Sequence, residues 1–298
     1  MVKANVCARA IKNVMYQLIK MSCFTVADDG LRLLQKAYEI EREPVAKDAL
    51  KAMLNSIKIA KEKKIPLCQS PGTTTIYVTL GMNVKIEGNI YEIVREAMRS
   101  VVHEGYIRPS VVHPISRANT GDGVGKYTPN VEITLESDID YLEIIVNTKG
   151  AEDSLGAAIK LFKPADIGPN AEGVKKFILE TVFNAAMSCC PPFALGIGLG
   201  GSMDVAAKLS RKCLVRPWDQ RSEDPEMEEF EREMLRLINS LGIGPNGLGG
   251  DTTALTVNAE YAHTHIATLP VALNIHCWLR RQTGARIYKD GSFEFLKF

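Results

Sequence analysis

The stretch "MSCCPPFALGIGLGG", residues 187–201, decides between two architectures. An apolar run leading into "GIGLGG" (196–201) and then a helix-forming "SMDVAAKLSRKCL" is how a dinucleotide-binding βαβ unit begins. That unit would imply a doubly wound parallel sheet. A second run, "GIGPNG" (242–247), matches G-x-G-x-x-G by letter, but it follows a helical segment and lacks a compact βαβ unit around it. Neither run ends in the Gly-Lys-Ser/Thr of a phosphate loop, since Gly250 is followed by Asp251. Glycine loops bring backbone N–H groups close to any anion, a carboxylate or a cluster sulfide as readily as a phosphate. They therefore indicate an anion or cofactor nearby without specifying a nucleotide. The adjacent Cys189 and Cys190 leave packing, a disulfide or a metal as open readings.

Working outward, "PVAKDALKAMLNSIKIAKEKK" has a proline start, apolar residues at three- and four-residue spacing and a lysine-rich end, so residues 1–64 read as a helical lead-in. "TTTIYVTLG" (73–81) is β-branched and aromatic, a strand ended by Gly81. "NIYEIVREAMRSVVHEG" (89–105) is a helix with Asn89 as N-cap and Gly105 as stop. "VEITLE" and "YLEIIVNTK", joined by "SDID", alternate like an antiparallel hairpin with one wet face. "GVKKFILETVFNAAM" and the acidic "EDPEMEEFEREMLRLINSLG" are helices, the latter with a solvated charged face. Strands "TALTVNAEY" and "PVALNIHCW" follow, then a terminal hairpin turned at Asp290-Gly291. The mix favours an α+β fold: one domain, 1–298, of antiparallel strands packed by helices.

Composition excludes several function classes. With 36 basic and 35 acidic residues the net charge is +1, which gives no pull toward nucleic acid or an anionic membrane. No apolar run is long enough to span a bilayer, and the N-terminus reads as an amphipathic helix, so a cytoplasmic location is expected. Seven scattered cysteines make a poor disulfide framework, and in a reducing compartment thiols stay free, bind metal or catalyse.

Five phrases then occur in order: "IPLCQSPGTT", "GYIRPSVVHPISRANTGDGVGKYTPNV", "CCPPFALGIGLGGSMDVAAKL", "GIGPNGLGGDTTAL" and "HTHIATLPVALNIHCWLRR". Together they resemble the α subunit of class I, iron–sulfur fumarate hydratase and L-tartrate dehydratase, from about residue 10 to the C-terminus. The resemblance implies a [4Fe–4S] cluster held by Cys68, Cys190 and Cys277, with Cys189 as packing. Three ligands where four are usual leave one iron open as a Lewis acid toward the leaving hydroxyl of a small hydroxy-dicarboxylate, malate/fumarate first and tartrate second. By the same resemblance Gln69, Arg108, Gly150 and His265 contact substrate, Gln69 and His265 being catalytic candidates. The bland alternative for Arg108 is a structural ion pair. Asn119, Thr120, Gly121 and Asp122 resemble a loop near the site, while His263 and His276 are packing or supporting residues. The implied partner is a β subunit supplying basic residues and the base, so this chain resembles half of an active site. Two rivals are a diverged member with another hydroxy acid and a binding subunit with little turnover of its own.

The chain also departs from that pattern. The usual Cys-Gln-Asp-Thr-Gly is Cys68-Gln69-Ser70-Pro71-Gly72 here, which loses a proposed acid: a serine hydroxyl is far too weak to replace a carboxyl group. The glycine run after Lys149-Gly150 is replaced by Ala151, Glu152 and Asp153, which is expected to bring bulk and negative charge toward the substrate pocket.

Overall fold

The computed structural model describes residues 4–68, 70 and 72–298. Strand β1 (Ala4–Val6) is followed by helices α1 (Ala8–Ser22), α2 (Asp28–Ile40) and α3 (Pro44–Lys63). Next come β2 (Thr73–Gly81), β3 (Val84–Ile86), α4 (Ile90–His103), β4 (Asn130–Glu136), β5 (Leu142–Lys149) and β6 (Ala158–Phe162). Helices α5 (Pro164–Ile167) and α6 (Glu172–Ala185), strand β7 (Phe193–Gly200), and helices α7 (Met203–Lys212) and α8 (Pro225–Asn239) follow. The chain ends with β8 (Ala254–Ala262), β9 (Leu269–His276), β10 (Gln282–Ile287) and β11 (Phe293–Phe295). The α+β class holds, and the chain folds as two compact units. No described helix is long and apolar enough to cross a membrane.

The first unit comprises residues 1–27, 56–149 and 281–298. Its sheet runs β11-β10-β5-β2-β4. Register aligns Ile76 with Val146 and Val78 with Ile144, while Ile144 and Leu142 also face Ala285 and Ile287. Period-two spacing thus gathers these residues on one face, where all are fully buried with Ile11, Met15 and Leu18 of α1 and Val94 and Val101 of α4. Asn89 caps α4, its side chain accepting from Tyr91 N.

The expected β4–β5 hairpin does not form. β2 lies between the two strands, parallel to β4 and antiparallel to β5. The reason is burial. Ile76 and Val78 are fully buried and take the middle of the sheet, whereas β4 carries Glu132 and Glu136 and is half-buried to exposed, which suits an edge. The "SDID" connection crosses the end of β2 so closely that a Cβ on Gly81 would lie 2.2 Å from Ile139 O. The lead-in is also not helical throughout, since β1 pairs parallel with β3.

The second unit comprises residues 28–55 and 150–280, with a sheet ordered β6-β9-β7-β8. β7 contains the "GIGLG" glycines, so this run is a strand and not a ligand-binding loop. A Cβ on Gly196 would lie 2.0 Å from Ser210 O, and one on Gly198 2.0 Å from Ala206 O. The glycines thus let the backbone of α7 lie directly on the strand. The alternate residues Leu195 and Ile197 face the other side, into a core with Ile178 and Val182 of α6 and Met234 and Ile238 of α8.

Two buried ion pairs brace this unit. Arg280 Nε lies 2.7 Å from Asp29 Oδ1 with both side chains fully buried. Its guanidinium also donates to Leu214 O, Val215 O and Arg216 O and packs over Trp218, whose backbone N–H donates to Asp29. Burial pulls Arg280 down to about 10, so it remains charged at neutral pH. On α8, Glu231 is the exception to a solvated acidic face. It is fully buried, accepts from Arg216, Ser222 N and Ala259 N, and ties the helix to β8.

Because the backbone of α7 cannot retreat from β7 without losing its seat, Gly198→Ala is expected to cost roughly 1–3 kcal/mol or more, as overpacking does. Urea unfolding of the two proteins measures it, and an unchanged midpoint would mean α7 yields freely.

Candidate metal and substrate site

In the first unit, Cys68 follows α3 on a segment tethered by Leu67 N donating to Cys23 O at 2.9 Å. Its thiol is exposed and in no disulfide, and Ser70 N donates to Sγ at 3.4 Å. The buried Arg281 donates both guanidinium NH groups to Ser70 O at 3.4 Å. Gln69 and Pro71 lie outside the described residues. A cavity of about 260 Å³ is lined by Pro66, Leu67, Cys68, Gly105, Tyr106 and Arg108. Arg108 is exposed and has no ion pair with any described residue, so its fork is available to a carboxylate.

The loop holding Arg108 is braced by the motif residues around 119–122. Asn119 Nδ2 donates to Pro109 O at 2.7 Å and its Oδ1 accepts from Gly121 N at 2.7 Å. Asp122 accepts from Val124 N and pairs with Arg99 at 2.9 Å; the guanidinium holds its carboxyl below the usual carboxylate range. For Asn119 and Asp122 the structure therefore shows a bracing role.

In the second unit, sheet register organises the cysteines. β7 and β9 are antiparallel with Ala194 opposite His276, so Cys190, three residues before β7, and Cys277, one residue after β9, sit at the same end of the sheet. Cys190 is exposed and holds φ at 49°, a left-handed conformation costing a non-glycine residue on the order of 1–3 kcal/mol. Cys189 is fully buried in the core, its thiol 3.8 Å from Glu152 O. The second glycine run serves this loop: Asn246 N donates to Pro191 O at 2.8 Å, and a Cβ on Gly244 would lie 1.7 Å from Gly249 O.

Gly150 reaches the same end of the sheet through Asp153. The Asp153 Oδ2 accepts from Gly150 N at 3.2 Å and from Cys277 N at 3.0 Å, and the side chain is 1% exposed. The charge expected to face substrate is thus turned inward onto two amides. Only Glu152 of the inserted acids is exposed. Asp153, His276 and Cys277 offer an oxygen, a nitrogen and a sulfur within 4.8 Å of one another, all buried. From sequence, His276 is no more than a supporting residue and Asp153 no more than a departure. The available signal is the adjacent His276-Cys277 pair, because that cysteine is already a ligand candidate.

His265 does not join this group. β7 and β8 are parallel, so the turn 263–268 between β8 and β9 lies at the far end of β7, an eight-residue strand or roughly 25 Å from Cys190 and Cys277. His265 is exposed there and its Nδ1 accepts from Ala267 N at 3.2 Å, leaving the proton on Nε2. His263 stacks on Tyr261, with ring centroids 5.9 Å apart.

A family model described as fumarate hydratase (fumerase) matches residues 12–286. The chain is 40% identical over 283 residues, 94% of this chain and 98% of the relative, to a protein of Methanocaldococcus jannaschii described as putative L(+)-tartrate dehydratase subunit alpha. It is 30% identical over 269 residues, 90% of this chain and 88% of the relative, to L(+)-tartrate dehydratase subunit alpha of Escherichia coli strain K12.

Exposure sorts the thiols. In metal-free protein, iodoacetamide should modify Cys7, Cys68 and Cys190 and spare Cys23, Cys189 and Cys213. Burial pushes Cys23 and Cys213 up to about 12 from an ordinary 9.0, so they stay protonated while the fold holds. Raising the pH to about 10 should therefore not label them, because the thiolate is the nucleophile. Peptide mass mapping reads this, and labelling of Cys189 as fast as Cys190 would contradict the assignment of the pair.

Proposed function

The chain belongs to the fumarate hydratase (fumerase) family, and on that premise we propose that it is the α-type subunit of a hydro-lyase acting on a small hydroxy-dicarboxylate. The observation that carries the reading is the gathering of Cys190, Cys277 and Gly150 at one end of the second unit's sheet, linked by Asp153. Cys68, Cys190 and Cys277 would hold a [4Fe–4S] cluster; none of the three is tied up in a disulfide, and Cys190 is presented on a fixed left-handed turn. When bound, such a cluster supplies Lewis acidity to the departing hydroxyl through its open iron.

The protein's own residues bind and orient. Arg108, unpaired among the described residues and beside Cys68 on one cavity, offers a bidentate fork to a substrate carboxylate. The Gly150 amide is already engaged by Asp153, so its part is to fix the turn beside Cys277. Gln69 is carried as a substrate contact by resemblance. His265, carried as a substrate contact by resemblance, lies at the far end of the sheet from Cys190 and Cys277.

Ser70 stands where the family's proposed acid stands and cannot deliver a proton as a carboxyl does. The names of the relatives favour L(+)-tartrate over malate and fumarate. The relatives' description as "subunit alpha" supports a β partner, to which the resemblance assigns the base.

Anaerobic reconstitution with a β partner, assayed against tartrate, malate and fumarate, tests the reading. Changing Cys68, Cys190 or Cys277 to serine should remove both the broad cluster absorption and turnover, whereas Cys189→Ser should keep both. Arg108→Lys should keep the cluster and lower kcat/KM about 10- to 100-fold, the equivalent of roughly 1.4–2.7 kcal/mol. A wild-type chain that takes up no cluster, or full turnover by the α chain alone, would refute the proposal.

A further inference from the structure

Asp153, His276 and Cys277 gather oxygen, nitrogen and sulfur donors in a small buried space, all within the second unit. Their exposures are 1%, 1% and 6%. This mixed set of oxygen, nitrogen and sulfur donors is one that a thiophilic divalent ion accepts. The Asp153 carboxylate is held in place by two backbone amides, both of which donate to Oδ2. His276 is fixed as well. Its Nδ1 lies 3.1 Å from Cys277 O, and a carbonyl only accepts, so Nδ1 carries the proton and Nε2 is the ring nitrogen able to ligate. A ring N–H held by a backbone carbonyl is the usual support for a metal-bound histidine. The edge of Trp218 packs on the same ring, with centroids 5.3 Å apart.

We propose that Asp153, His276 and Cys277 form a mononuclear site for one Zn²⁺ or Fe²⁺ ion, occupied when Cys277 is not claimed by a cluster. Ligand–metal bonds of about 2.0–2.3 Å place tetrahedral donors roughly 3.5 Å apart, so these groups, which each have one donor atom within 4.8 Å of the others, draw closer on binding. Three protein donors leave a fourth position to water. Because Cys277 has one thiolate, the single ion and the cluster exclude each other; this last clause rests on the cluster reading above, whereas the ion site itself does not. Free zinc would then hold the cluster-free chain in a metallated form that cannot mature.

Titrating the cluster-free full chain with Co²⁺, a spectroscopic stand-in for Zn²⁺, tests the site. The expected result is one ion per chain with a sulfur-to-cobalt charge-transfer band, displaced by Zn²⁺. Cys277→Ser should abolish the band, and Asp153→Asn and His276→Gln should each weaken binding about 10-fold or more. Cys68→Ser and Cys190→Ser should leave the titration unchanged. Circular dichroism checks that each variant is folded, and the two conservative variants keep the test decisive if Cys277→Ser misfolds. The proposal is overturned by absence of a band, by wild-type binding in both Asp153→Asn and His276→Gln, or by loss of the band in Cys68→Ser or Cys190→Ser. Failure of the cluster reading shows elsewhere, as wild-type chain that takes up no cluster on anaerobic reconstitution, and leaves this titration intact.

Discussion

Helix α7 lies so close to strand β7 that nothing larger than hydrogen fits at positions 196 and 198. That approach puts β7 in the interior of its four-stranded sheet, with α7 against one face and α6 and α8 against the other. A strand covered on both faces reads as continuously apolar, and "FALGIGLG" does so with glycine in place of the large residues on one face. Once β7 is interior, β8 and β9 take its two sides, one parallel and one antiparallel. Those two directions determine which loops share an end. The Cys-Cys-Pro-Pro loop falls with the residues after β9, and the His-Thr-His turn falls at the other end. The position of the thiols thus follows from a backbone contact that involves no sulfur.

Much of the fold is legible in the sequence because its signals are local. Strand β2 ends at Gly81, Asn89 caps α4, and the last hairpin turns at Asp290-Gly291 with Gly291 at φ 84°. Pairing is not legible, because alternation reports a strand's faces and not its neighbours. "VEITLE" and "YLEIIVNTK" look like a hairpin for want of any local sign that β2 lies between them. The glycine run misleads for a related reason. A glycine demanded by a helix backbone across the sheet and one demanded by a phosphate are the same letter. In the site, the cysteines stand out by motif. Asp153 does not, because its role depends on two amides, Gly150 and Cys277, that are far apart in the chain.

The inserted acids show how a departure can be absorbed. A carboxylate introduced near an anionic substrate is a liability while it is solvated and facing outward. Asp153 instead lies under the turn and exchanges water for two N–H donors, a charge-assisted arrangement in which each bond is worth roughly 1.5–3 kcal/mol. The field that would repel a dianion is partly taken up by the amides, and the same bonds hold Cys277 against the Gly150 turn. The loss of an acid at Ser70 has no such local remedy. Arg281 secures Ser70 by its carbonyl, which steadies the backbone but supplies no exchangeable proton of suitable acidity.

The two departures therefore act on different quantities. Asp153 bears on geometry: it fixes Cys277 N and Gly150 N through one oxygen, so the turn is ordered before any cofactor arrives, and a site ordered in advance loses less entropy on binding. By resemblance, position 70 bears on proton transfer, which geometry cannot supply. On the proposed function, a chain that keeps its thiols and Arg108 but lacks that acid would still bind and polarise a hydroxy acid. Its turnover would then depend on a proton moved by another group.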